Sequence, residues 1–157
     1  MTLRRSAGEP QALMTRFEKY QALENAAKRR RDIPAANRYF DKVNEVLDAL
    51  ADSGEAGRNN LEQLMQDSNP STRGRAARRV LGWDPDQAIP VLARLLYEKF
   101  GPEIMPFHAV TIETEAQSAL TDYFGLDMFD PVELPARLSA LGIELPKDLA
   151  RRLRRED

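Results

Sequence analysis

The stretch Asp67–Phe100, DSNPSTRGRAARRVLGWDPDQAIPVLARLLYEKF, decides the fold, because it spells two short helices joined by a tight turn. Asn69-Pro70 opens the first, and Ala76, Ala77, Val80 and Leu81 fall on one face at helical spacing. Gly82 sits where a left-handed C-terminal cap is wanted. Asp84-Pro85 then starts the second helix, with Asp84 as N-cap and Gln87 placed to reach back to it. Small alanines on the first helix let the second lie close. Such a pair is a thin layer that buries its apolar faces only by packing on neighbours, which is the sign of a helical repeat.

Outward from this pair, apolar residues recur at helical spacing and strand-like alternation is absent. A first helix is expected over Pro10–Arg31, with Leu13, Phe17, Tyr20 and Ala27 on one side and the basic run Lys28–Arg31 at its C-terminal end. Asp32-Ile33-Pro34 breaks it. A second helix over Pro34–Asp52 buries Val43, Val46, Leu47 and Leu50 with Tyr39 or Phe40, and Ser53-Gly54 with Gly57 ends it. Asn59–Gln66 gives a short third helix. In the fifth, which follows Asp84, Pro90 removes one backbone hydrogen bond to Asp86. The segment from Gly101 to Val110, with two prolines, reads as the longest connection. A sixth helix is expected over Thr111–Phe124 with Gly125 as its cap, a seventh from Asp130-Pro131 to Leu141, and an eighth from Pro146. About eight helices with mostly short connections fit an all-α protein, a short right-handed solenoid of antiparallel helix pairs, better than a four-helix bundle. A single domain over 1–157 is expected, with loose ends at 1–9 and 154–157.

Composition narrows the chemistry. The 157 residues include no cysteine, which excludes disulfides, thiolate metal sites and a cysteine nucleophile and fits a reducing cytosol. There is no apolar run of signal-peptide or transmembrane length, so a soluble cytoplasmic chain with no membrane partner is expected. The net charge of −2 is unevenly spread: residues 1–101 carry +3, residues 102–148 carry −7 and residues 149–157 carry +2. Charge asymmetry of this kind steers partners of opposite sign.

At Asn69-Pro70, Thr72-Arg73, Ala76-Ala77 and Leu81-Gly82 the chain resembles a HEAT repeat, whose usual pattern is aspartate-proline, valine-arginine, two small residues and leucine-glycine. Thr72 stands where valine is usual. The preceding AANRYFDKVNEVLDAL (Ala35–Leu50) and GEAGRNNLEQLMQDSNPSTR (Gly54–Arg73) are similar to a family of small bacterial HEAT-like proteins of undetermined function, over roughly residues 13–125. The resemblance implies a HEAT/armadillo-like solenoid. Members of that family resemble products of toxin-immunity loci, in which a small cytosolic protein neutralises the toxic tip of a large secreted or Rhs-type effector. It brings no active-site residues; Arg73 takes the place of the repeat's arginine, a structural side chain that bonds neighbouring carbonyls or carboxylates.

The remaining residues give little for catalysis. His108 is the single histidine, and Glu113 and Glu115 stand two apart on a helix, where they do not face each other. Asp84, Asp86, Asp127 and Asp130 read as helix-start acids, without the glycine and terminal glutamate of a calcium loop. Together with these absences, the resemblance implies a non-enzymatic protein-binding module without cofactor, an immunity protein that covers its cognate toxin. Its candidate docking residues are the aromatic and apolar Trp83, Tyr97, Phe107, His108, Tyr123, Met128 and Phe129 and the acidic Glu103, Glu113, Glu115, Asp122, Asp127 and Asp130. The alternatives are nucleic-acid binding through Arg75, Arg78 and Arg79, read as one solvated face of the fourth helix, and a self-assembling scaffold. The negative net charge weighs against the first, and the oligomeric state stays open.

Overall fold

In the computed structural model, which describes residues 9–156, the protein is all-α. Eight helices occupy those residues: α1 (Glu9–Arg29), α2 (Ile33–Asp52), α3 (Glu55–Leu64), α4 (Pro70–Val80), α5 (Pro85–Leu95), α6 (Pro106–Phe124), α7 (Leu134–Ser139) and α8 (Lys147–Leu153). The chain forms two compact units, Met1–Leu64 and Met65–Asp157. Of the loose ends expected at 1–9 and 154–157, residues 1–8 and 157 lie outside the described residues.

In the first unit α1 packs along α2, and α3 joins both. Asp32 caps α2 by accepting from the Ala35 amide at 3.1 Å, and Val43, Val46, Leu47 and Leu50 form its buried stripe as expected. The buried stripe of α1 runs Leu13, Phe17, Glu24 and Ala27, so a carboxylate occupies a core position; it meets Lys28 Nζ at 3.0 Å one turn on. The third helix starts four residues earlier than the sequence suggests. Gly57 belongs to its first turn rather than to the end of α2, and it is buried there. A Cβ at Gly57 would collide with Ser53 Oγ and the Leu50 carbonyl, so glycine is what allows α3 to turn back tightly on the end of α2.

In the second unit α4 lies against both α5 and α6, α7 follows on α6, and α8 on α7. Asn69 caps α4 through the Ser71 amide (2.9 Å). Asp84 caps α5 through the Gln87 amide (3.3 Å), while Gln87 Nε2 donates back to the Asp84 carboxylate at 2.6 Å. Ala76 and Ala77 are fully buried, and an ideal Cβ on Gly74 would stand 3.0 Å from Leu95 Cδ1, which marks how closely α5 approaches.

Three boundaries differ from expectation. Gly82 is not left-handed: α4 ends in successive tight turns, Gly82 N to Arg79 O and Trp83 N to Val80 O. Pro106 does not extend the connection but stands in the first turn of α6, where its missing N–H costs nothing; Met105 before it is extended, as a residue preceding proline prefers. His108 thus lies on a helix and not in a loop. The seventh helix starts at Leu134, because Asp130 and Pro131 form turns (Asp130 N to Asp127 O, Leu134 N to Pro131 O). Gly125 does adopt the expected left-handed cap, with Leu126 N donating to Thr121 O at 2.8 Å.

Gly57→Ala should cost about 2–3 kcal/mol, the scale of an overpacked core, read as a lower urea midpoint at unchanged slope. Ser53→Ala in the same chain should restore only part of this, since the Leu50 carbonyl remains in the way.

Candidate functional site

Large apolar side chains are exposed mainly in one stretch of sequence. Among the described residues Tyr97, Met105, Phe107, Val110, Tyr123, Phe129, Val132 and Leu141 are exposed in the second unit, against Ile33 alone in the first. Phe107 and Phe129 stand out at 75% and 82% exposure. The N-terminal half of α6 explains part of this: Ile112 and Ala116 face inward, which leaves Phe107 and Val110 on the outer side of the first turns. His108 is half-buried beside Phe107, with ring centroids 6.0 Å apart. Trp83 and Met128 are half-buried. Tyr123 stacks edge-on with Phe124 at 5.1 Å.

The acidic candidates divide into two groups. Glu113 lies 3.4 Å from Arg152, Asp122 lies 3.9 Å from Arg78 and Asp130 lies 3.8 Å from Arg155. All of these are solvated pairs worth under about 1 kcal/mol each. Glu103 and Glu115, like Asp127, make no ion pair with a described residue. Asp127 is not a helix cap; its Oδ1 accepts from the Phe129 amide at 2.8 Å in a tight turn.

Arg75, Arg78 and Arg79 on α4 do not share a solvated face. Arg75 is buried, 7% exposed, because α4 packs on two helices and its buried arc is wide enough to include that position. Arg78 is exposed and opposite Asp122, while Arg79 Nη1 donates to the Arg75 carbonyl at 3.0 Å.

Arg73 reaches from α4 to the end of α5 and holds Glu98 in a two-pronged pair, Nη1–Oε1 at 2.9 Å and Nη2–Oε2 at 2.7 Å. Both side chains are less than one-fifth exposed. Arg73 thus bonds a carboxylate of its own chain. The hydrogen bonds from Arg73 hold the Glu98 carboxyl below its ordinary value of 4.5, against the opposing effect of burial, and Arg94 adds to the effect. Arg73 is correspondingly held above the ordinary guanidinium range by its bond to Glu98.

The buried Glu24 was not among the candidate residues, although the three-four spacing Leu13, Phe17, Tyr20, Glu24, Ala27 runs straight through it. An open cleft of about 370 Å³ in the first unit is lined by Ala51, Asp52, Gly54, Glu55 and Arg58. Among the described residues no three His, Asp or Glu side chains come together as metal ligands, and no helix is long and apolar enough to cross a membrane. Comparison with protein-family models, with curated proteins and with solved structures finds no match. The HEAT-like resemblance therefore rests on the residues alone.

Glu98 has a depressed folded-state pKa, so its contribution is complete above pH 4.5 and is lost as pH falls through the lower folded value. Glu98→Gln should destabilise by about 1–3 kcal/mol at pH 7, and urea melts repeated at pH 3 should show that difference shrinking. A pH-independent difference would remove the ion pair from the account.

Proposed function

We propose that this chain is a non-enzymatic protein-binding module, an immunity protein that covers the active cleft of a cognate protein toxin. One coincidence carries the reading: the exposed apolar side chains between residues 105 and 141 lie in the stretch whose charge is −7 between residues 102 and 148. Exposed aromatic and aliphatic side chains supply contact area and desolvated anchors. Carboxylates around them speed encounter with a basic surface and select for it. Clefts that act on nucleic acid or nucleotides are commonly basic, so an acidic inhibitor suits them. Glu103, Glu115 and Asp127 are the candidate carboxylates with no ion pair to a described residue, whereas Glu113, Asp122 and Asp130 face arginines of their own chain. The HEAT-like resemblance of Asp67–Phe100 supports the same reading, since such layers serve as rigid binding scaffolds.

The nucleic-acid alternative has less to build with. Burial takes Arg75 out of its cluster, and Arg78, Arg152 and Arg155 lie within 4.0 Å of carboxylates.

The test begins with capture of a partner from the native lysate and expression of that partner alone. The proposal expects a protein that arrests growth, with arrest relieved by co-expression of this chain. Glu103→Lys with Glu115→Lys should leave helicity intact and slow association at least tenfold at low salt, with little change at high salt. Recovery of nucleic acid, or a captured protein whose toxicity this chain does not relieve, would contradict the proposal.

A further inference from the structure

The turn between α6 and α7 holds its backbone rigidly while presenting its aromatic ring to solvent. Phe129 N–H donates to Asp127 Oδ1 (2.8 Å), and Asp130 N–H donates to the Asp127 carbonyl (3.0 Å). Gln117 Nε2, from α6, donates to the Met128 carbonyl (3.2 Å). Arg155 Nη2, beyond α8, donates to the Phe129 carbonyl (2.7 Å). Two successive carbonyls and two successive amides are thus satisfied by groups reaching in from three places in the chain. The Phe129 ring is nevertheless 82% exposed, more than any other large apolar side chain among the described residues. Burying an aromatic ring is worth far more than leaving it in water, and fixing a turn costs conformational entropy. The exposed ring itself adds nothing to the chain's own core.

We propose that Phe129 is a preformed anchor that inserts into an apolar pocket with a cationic rim on a partner protein, and that Gln117, Asp127 and Arg155 are its positioning residues. This rests on the protein-binding reading above and names where and how the partner is held. The occupant follows from charge: residues 122–133 hold Asp122, Asp127, Asp130 and Glu133 and no basic residue. Arg155 and Arg78 each approach one of these acids, at 3.8 and 3.9 Å, and leave the turn net negative. Because the turn is held before the partner arrives, ordering it on binding costs little, which is where preorganised anchors gain affinity.

The probe is a synthetic nanobody library, unbiased in paratope, selected against the full chain. Each binder is then tested against Phe129→Ala, Phe107→Ala, Ile33→Ala and Arg155→Ala. The expected result is a dominant class of binders that weaken at least thirtyfold on Phe129→Ala, whose paratopes combine apolar residues with arginine or lysine. The thermal midpoint of Phe129→Ala should match that of the parent, since the ring is exposed. Arg155→Ala, which keeps the ring but frees its carbonyl, should weaken this class about tenfold and leave Phe107-dependent binders unchanged. A dominant Phe107-dependent class would overturn the Phe129 anchor while sparing the protein-binding reading. Binders spread evenly over Phe129, Phe107 and Ile33 would overturn both. Neutral or acidic paratopes, or a Phe129-dependent homodimer on sizing, would overturn the proposed occupant.

Discussion

The close approach of α5 to α4 is the constraint on which the second unit depends. It requires a helix face without bulk, and Gly74, Ala76 and Ala77 supply it; the alanines are fully buried, and Leu95 leaves almost no room for a Cβ on Gly74. Apolar contact alone does not fix how two helices slide along each other. The Arg73–Glu98 pair does, because a planar guanidinium gripping both carboxylate oxygens tolerates little displacement. With α4 and α5 registered in this way, α6 packs on both and has a wide inner face to bury. Its first turns lie past the reach of that packing, which is why Phe107 and Val110 remain outside.

Part of the charge in the second unit is paired within the chain. Its basic residues were a candidate nucleic-acid face and its acidic residues a candidate toxin face. Arg78, Arg152 and Arg155 each stand opposite one of those acids. Neither set is wholly free of partners in its own chain. What stays available is the excess of carboxylates over arginines, concentrated at positions such as Glu103 and Glu115, together with aromatic rings that no neighbour covers. An excess of that kind steers a basic partner over distances of about a Debye length, roughly 8 Å at physiological salt. It leaves the contact energy to the rings.

Much of the fold was legible in the sequence, because its signals were local. Asn69 and Asp84 cap the helices they precede, Gly125 ends α6 in the left-handed conformation, and the apolar stripe of α2 is buried where its spacing put it. The failures arose where a residue type has two uses. Pro106 was read as a helix breaker and is a helix starter, a choice made by its position in the first turn and not by its identity. Gly57 was read as a terminator and is a contact glycine, which depends on Ser53 and Leu50 lying across from it. Arg75 was assigned to water by its charge, and α4 buries it because two helices pack on α4 instead of one. Glu24 could have been found from its place in the stripe of α1. For the candidate surface, exposure separated Phe107 and Phe129 from half-buried Trp83 and Met128, and residue type alone does not make that distinction.

The central claim is that binding is done by the acidic, aromatic stretch of the second unit. Hydrogen–deuterium exchange of the full chain, alone and with the toxin isolated through growth neutralisation, tests it most directly. The account predicts new protection concentrated in residues 97–133, with exchange in residues 9–64 unchanged. Protection confined to residues 9–64, with 97–133 exchanging as in the free chain, would contradict it.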